Sequence, residues 1–112
     1  MTLRTQKTQA RYDLARKEGR LNALKDLPSI EEFNYWRLVD NEYPHDKVAS
    51  VHHMLLPKRV VREFTDLTFA ETMELSTIMF ILLYGRYGSF KINTDIERTI
   101  TDHVHIHCLV NI

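Results

Sequence analysis

The stretch that decides the fold is His103-Val104-His105-Ile106-His107-Cys108-Leu109-Val110. Successive side chains of a β-strand point to opposite faces of its sheet. As a strand, this stretch carries a row of histidines on one face: His103, His105 and His107. The opposite face is then apolar: Val104, Ile106, Cys108 and Val110. Neighbouring imidazoles in the row are expected about 7 Å apart, so that they can converge on one phosphate-sized group or one metal ion.

A second histidine cluster, His52-His53, lies within a predicted strand at 48–56. Because side chains alternate along a strand, only one of the two can face the same way as a given neighbour. We expect the other to be a core or surface histidine.

The rest of the chain predicts an α+β fold with an antiparallel sheet, because helix, strands, helix and strands follow one another. Pro28 should end the first helix, since the residue before a proline is disfavoured in the helical region. The predicted elements are helix 5–26, connector 27–32, strands 33–39 and 48–56, a helix from Thr68, strand 89–93, a loop or strand at 94–101, and strand 102–110.

The helix from Thr68 has the clearest signals. Thr68 and Glu71 fit a capping box, in which each side chain satisfies the other's free backbone N–H. Apolar residues at helical spacing form one face, widened by two more: Leu75, Ile78, Met79 and Leu82, then Ile81 and Leu83. Because the apolar face is wider than a single stripe, we expect the helix to be buried on more than one side or to share a surface with a partner chain. Gly85 or Gly88 should end the helix in a left-handed conformation.

Composition favours one globular domain in the cytoplasm. The chain has 112 residues, 44% of them hydrophobic, and suits a single core. Its longest apolar run, 78–84, is too short to span a bilayer, and no apolar leader is visible at the N-terminus. Cys108 is the single cysteine, and its strand neighbours predict a buried, reduced thiol.

Charge is unevenly distributed. Residues 1–26 contain seven basic and three acidic residues, a net +4, whereas the rest of the chain carries −4 and the total is zero. A basic arm can contact nucleic acid or a phosphate-rich ligand. We favour a solvated helix and do not expect nucleic acid as a partner.

With these residues identified, the chain resembles the histidine-triad (HIT) family. Residues 103–109 match its signature, His-φ-His-φ-His-φ-φ with φ apolar. Residues 51–59, a histidine followed by apolar residues and Pro-Lys, resemble its second strand. Leu38-Val39-Asp40-Asn41 resembles its ribose-binding turn, Asp66-Leu67 the pair before its long helix, and Ile92-Asn93 the asparagine before its triad strand.

The resemblance implies a HIT-like domain over residues 33–112, preceded by a helical arm and connector over 1–32. It implies that His105 attacks the α-phosphate of a nucleotide and that water then releases a nucleoside monophosphate. His103 and His107 would orient His105 or hold phosphate oxygens, and His52 would complete the site. Asp40, Asn93 and Thr99 would bind substrate. No metal or other cofactor is needed, and a homodimer is expected.

Two alternatives stay open at this point. Residues 94–102 contain no glycine, whereas the family usually has a Gly-rich stretch and a Gln-Ser pair there, at positions held here by Thr99 and Ile100. This difference allows a nucleotide-binding module without catalysis. Three imidazoles plus water also suit zinc. For Trp36 and Tyr35, near the expected nucleotide side, we favour a core role over base stacking.

Overall fold

The protein is built on one antiparallel sheet. The computed structural model describes residues 3–94 and 100–112. Within them, five strands pair in the order β1-β2-β3-β5-β4. Their bounds are β1 Ser29–Glu32, β2 Trp36–Asp40, β3 Ala49–Pro57, β4 Ser89–Lys91 and β5 Ile106–Asn111. The predicted α+β fold with an antiparallel sheet is confirmed.

The first helix, α1, is shorter than predicted. It spans Gln6–Lys17, with the Thr5 side chain accepting from the Thr8 N–H as its N-cap. Gly19 follows in the left-handed conformation, at φ +69°, which glycine adopts at no steric cost. The prediction of a helix over 5–26 is therefore wrong beyond Lys17, and only a short 3₁₀ turn at Leu24–Asp26 follows. The predicted connector is also wrong in part, because β1 pairs with β2.

The second helix, α2, spans Phe69–Thr77, and both halves of the predicted Thr68–Glu71 capping box are present. The helix widens into a π-helical turn at Ile78–Leu82, closed by a bond from the Leu83 N–H to the Ile78 carbonyl at 2.8 Å. This wider turn places Leu83 in the core and leaves Leu82, which was expected on the buried face, half-exposed.

The expected glycine terminus of α2 is wrong. Among the described residues, Gly19 alone has a positive φ, so neither Gly85 nor Gly88 is left-handed. No helix in the described ranges has the length and apolar character that crossing a membrane requires.

The two faces of the sheet are covered by different parts of the chain. One face packs on α2 and forms a cluster of fully buried residues: Trp36, Leu38, Leu55, Ile78, Leu83, Ile106 and Cys108. The indole N–H of Trp36 donates to the Glu71 carbonyl at 2.8 Å, so its predicted core role is confirmed. The same prediction is wrong for Tyr35, which is 46% exposed. The other face carries a smaller cluster with the 3₁₀ turn: Leu24, Leu27, Val39, Met54 and Leu56. His52 and His107 lie on this second face, beside Met54.

Candidate functional site

The three histidines of the signature are all buried at the start of β5. The strand begins at Ile106, so His103 and His105 precede it and the prediction of a strand from 102 is wrong at that end. The alternation of buried apolar residues still holds, with Val104, Ile106 and Cys108 fully enclosed. The rings of His105 and His107 are nearly perpendicular, with centroids 5.0 Å apart. This is closer than the 7 Å expected within one extended strand, and His105 precedes the start of β5.

His52 joins the triad from the neighbouring strand. In β3 it lies two residues before Met54, the register partner of His107, and so on the same face of the sheet. Its Nε2 lies 2.7 Å from His107 Nδ1. His53 points to the opposite face, where its Nδ1 lies 2.6 Å from the Tyr87 hydroxyl. The expectation that only one of the two histidines joins the row is therefore met.

A further histidine, His45, completes the cluster and was not predicted. It lies in the loop between β2 and β3, with its ring 4.4 Å from His52 and stacked at 5.6 Å on His107. Its backbone N–H donates to His52 Nδ1 at 2.9 Å. The sequence marks Pro44-His45-Asp46 as a turn, but turn chemistry carries no signal for where a loop folds back.

Hydrogen-bond partners assign the tautomers of these rings. Because His52 Nδ1 accepts from the backbone, its proton sits on Nε2 and is donated to His107 Nδ1. The proton of His107 is then on its own Nε2. His105 Nδ1 lies 3.1 Å from the His103 carbonyl, which can only accept. His105 therefore carries its proton on Nδ1 and has an unprotonated Nε2.

Three histidines of the cluster, His45, His52 and His107, are held neutral at physiological pH. Burial, reinforced by neighbouring positive charge, lowers the pKa of His52 and of His107 to about 3. Burial, with Arg4 and Lys91 nearby, lowers the pKa of His45 to about 4. Removing an ionisable group from water disfavours its charged form. These three imidazoles therefore act as hydrogen-bonding groups near pH 7, not as cations.

His105 and His107 open onto a cavity of about 670 Å³. This volume is typical of small-ligand sites. Its walls combine apolar and polar side chains contributed by α1, the 20–27 segment, the β2–β3 loop and the end of β4. The apolar part is formed by Leu3, Leu21, Ala23, Leu24, Leu27, Met54 and Ile100. The polar and aromatic part includes Arg4, Tyr12, Asn41, Tyr43, His45, Lys91 and Asn93.

His103 is directed elsewhere. Its Nε2 lies 2.9 Å from the Pro57 carbonyl, so it donates there. It lines a smaller cavity of about 260 Å³. Burial lowers its pKa. The structure thus brings His52, His105 and His107 together, while His103 contacts the others through its backbone carbonyl.

The predicted substrate-binding residues have different locations. Asn93 lines the large cavity, and its side-chain amide nitrogen lies 3.4 Å from His107 Nε2. Asp40 is not among the described residues of that cavity. It pairs with His53 in the sheet register and so shares the α2 face, with Asn41 and Glu42 reaching the cavity instead. Thr99 lies outside the described residues.

The zinc alternative gains no support from the geometry. Within 3–94 and 100–112, no three His, Cys, Asp or Glu side chains are grouped so that they would hold a metal ion. The close imidazoles bond to one another or to backbone groups instead.

Comparison with solved structures identifies the class of fold. A protein described as Hit Like Protein superimposes with a TM-score of 0.60 at 16% identity, covering 88% of this chain and 96% of its own. A HIT family hydrolase from Legionella pneumophila Philadelphia 1 superimposes with a TM-score of 0.55 at 17% identity, covering 85% of this chain and 87% of its own. A histidine triad protein from Clostridium difficile superimposes with a TM-score of 0.52 at 15% identity, covering 89% of this chain and 88% of its own. No family model and no curated protein matches the chain.

The chain therefore has a histidine-triad, or HIT-like, fold, as the sequence predicts. At these identities the likeness establishes the fold and leaves the chemistry to be argued from the site itself.

Proposed function

We propose that the protein is a nucleotide hydrolase or transferase that acts on an α-phosphate through a nucleotidyl intermediate on His105. The observation that carries this proposal is the tautomer of His105. Its Nδ1 lies 3.1 Å from the His103 carbonyl, which places the ring proton on Nδ1 and makes Nε2 the basic, nucleophilic nitrogen, and the residue lines the cavity of about 670 Å³.

In the first step, Nε2 of His105 attacks the α-phosphorus. A phosphorus–nitrogen bond forms while the bond from phosphorus to the leaving group breaks, and the leaving group keeps that electron pair; an amine leaving group also takes up a proton from water. His107 stands 5.0 Å away, centroid to centroid, with its proton on Nε2. It can donate a hydrogen bond to a phosphoryl oxygen, where negative charge grows in the transition state.

In the second step, water attacks the same phosphorus. The phosphorus–nitrogen bond breaks, its electrons return to His105 Nε2, the attacking water loses a proton to solvent, and a nucleoside monophosphate leaves. His52 acts through His107, since the 2.7 Å bond between them fixes the ring and the tautomer. A transferase reaction differs only in the nucleophile that replaces water. No step uses a metal ion.

The test is turnover of a substrate panel in the presence of chelator. We would incubate the pure protein with adenosine and guanosine phosphoramidates and dinucleoside polyphosphates, and follow release of nucleoside monophosphate. We expect chelator-resistant release that is lost in His105→Ala. Acid-labile labelling of the protein by a nucleotide labelled at the α-phosphate should accompany it, as a nucleotidyl-histidine would show.

A matched control is His53→Gln. His53 is a histidine of the adjoining strand on the other face of the sheet, hydrogen-bonded to Tyr87, so its loss should leave turnover intact. Nucleotide binding without turnover in the wild type would convert the assignment to a binding module. Survival of activity in His105→Ala would refute His105 as nucleophile.

The proposed assembly is a homodimer formed through an exposed apolar surface on α2 and the π-helical turn. Five large side chains there are at least half-exposed: Phe69, Met73, Phe80, Ile81 and Tyr84. Apolar patches of this kind mark interaction surfaces. Light scattering should give a dimer mass for the wild type and a monomer mass for Ile81→Glu, which is 72% exposed. A monomeric wild type at high concentration would contradict this assembly.

We also propose the cytoplasm as the compartment, because the single cysteine is a fully buried free thiol and forms no structural disulfide. Cell fractionation of the tagged full chain tests this assignment.

A further inference from the structure

An arginine at the N-terminus, Arg4, is fixed beside the candidate site by contacts from two directions. Its Nε donates to the Tyr43 carbonyl at 2.7 Å. Its guanidinium carbon stands 4.4 Å from the centre of the Tyr12 ring, within the range of a cation–π interaction. Arg4 precedes α1, and Tyr43 belongs to the β2–β3 loop. The guanidinium is thus part of the contact that joins the N-terminal helix to the body of the protein.

This contact is reinforced by Asp46. The carboxylate accepts from the Thr5 backbone N–H at 2.8 Å, from the Thr5 hydroxyl at 3.1 Å and from the Thr8 hydroxyl at 2.5 Å. These bonds lower the pKa of Asp46. The start of α1, and with it Arg4, is thereby attached to the same loop that carries His45.

Arg4 lines the cavity that contains His105 and His107. A second cation, Lys91, reaches the cavity from the end of β4, where it pairs in register with His107. The charge of Arg4 acts on His45 and His52, and that of Lys91 on His45 and His107. The two cations therefore come close to the imidazole cluster from two separate parts of the chain.

Acidic groups also reach the cavity, but at other points. Glu42 accepts from the Asn22 amide at 2.9 Å, and Asp102 lies next to His103 and also lines the smaller cavity. Near pH 7 the formal positive charges that act on the imidazole cluster are those of Arg4 and Lys91, and Asp46 opposes them at His45. The field around the reactive imidazoles thus favours an anion.

We propose that Arg4 and Lys91 form a clamp for the phosphate chain of the nucleotide, so that the N-terminal helix supplies part of the binding site. This inference rests on the proposed function and names its recognition element. Guanidinium groups bind phosphate oxygens through paired N–H donors, while a lysine ammonium acts as a point charge. The clamp should select nucleotides over nucleosides and favour ligands with more than one phosphate.

The test measures binding of adenosine, AMP, ADP and pyrophosphate to the full chain by calorimetry. Loss of one charged hydrogen-bond partner typically weakens binding about 10- to 100-fold. We expect this loss for AMP, ADP and pyrophosphate in Arg4→Gln, with adenosine unchanged. Arg4→Lys should recover part of the affinity. The control is Arg16→Gln, because Arg16 lies in α1 and also approaches the Tyr12 ring, at 5.4 Å, but is not among the residues that line the cavity.

The outcomes separate this inference from the proposed function. Wild-type affinity for AMP in Arg4→Gln would overturn the clamp alone, and so would an equal loss for adenosine, since that indicates a purely structural role for Arg4. Binding of pyrophosphate but of no nucleotide would support the clamp and refute the nucleotide assignment. A wild type that binds none of the four ligands would refute both.

Discussion

Acidification should destabilise the protein through its buried neutral histidines. In the unfolded chain a histidine has a pKa near 6.5, whereas the native pKa values of His52 and His107 are about 3. Between these limits the unfolded state binds protons that the native state does not. Stability from these groups is therefore complete above about pH 6.5 and is lost as the pH falls toward 3.

The magnitude follows from the same values. Moving from pH 7.5 to pH 5.0 protonates each histidine in the unfolded chain over about 1.5 pH units, which lowers the free energy of unfolding by about 2 kcal/mol per residue. The two residues together account for about 4 kcal/mol. Because native domains are stable by only about 5–15 kcal/mol, this is a large share of the total.

The assay is urea unfolding at pH 7.5 and pH 5.0, followed by the fluorescence of Trp36. This residue is the single tryptophan and is fully buried against α2, so its emission reports the core. The double variant His52→Asn/His107→Asn removes both groups. Its loss of stability between the two pH values should be smaller than that of the wild type by about 4 kcal/mol, and each single variant should account for about half.

Comparing pH differences cancels the contribution of groups common to both proteins and the direct cost of the substitutions. An unchanged m-value would show that the same surface is exposed in each case. Equal pH losses in the wild type and the double variant would refute the assignment of neutral, buried imidazoles.

Three other predictions concern the scaffold. Glu71→Ala should lower the free energy of unfolding by about 1–2 kcal/mol, because its carboxylate caps α2 through the Thr68 N–H at 2.8 Å and pairs with Arg59 at 2.7 Å; urea midpoints measure this, and an unchanged midpoint contradicts it. Asp46→Ala should speed amide hydrogen exchange at the start of α1 while α2 stays protected, since the three bonds to Thr5 and Thr8 are lost. Cys108 should resist a thiol reagent at pH 8 until the protein is unfolded, because burial raises its pKa to about 12 and the thiolate is the reactive form; rapid native labelling would exclude the buried position.

Side-chain alternation explains why much of the site was predictable. The stretch from His103 to Cys108 can bury its apolar side chains in the core in only one orientation, and that orientation places the histidines on the other face. The same alternation places the side chains of His52 and His53 on opposite faces of the sheet. The Thr68–Glu71 capping box could also be predicted from the sequence, because it is a contact between residues that are close in the chain.

What could not be predicted depends on long-range contacts. The short strand Ser29–Glu32 is polar and forms only because β2 offers it an edge. His45 joins the cluster through a loop whose path is set by Asp46 and the N-terminal helix. Asp40 resembles a ribose contact in sequence, but strict alternation turns it to the α2 side of the sheet. The π-helical turn shifts Leu82 outward by a local change in helical period.

The strand β5 serves the core and the site at once, and this has a consequence for how the protein can diversify. From Val104 to Cys108, every residue is either an enclosed apolar side chain or a member of the histidine row, so few alternatives are tolerable there. The cavity walls are mostly carried by other segments: the start of α1, residues 20–27 and the β2–β3 loop. Substitutions in these outer segments can therefore change the ligand preference while the reactive imidazoles stay in place.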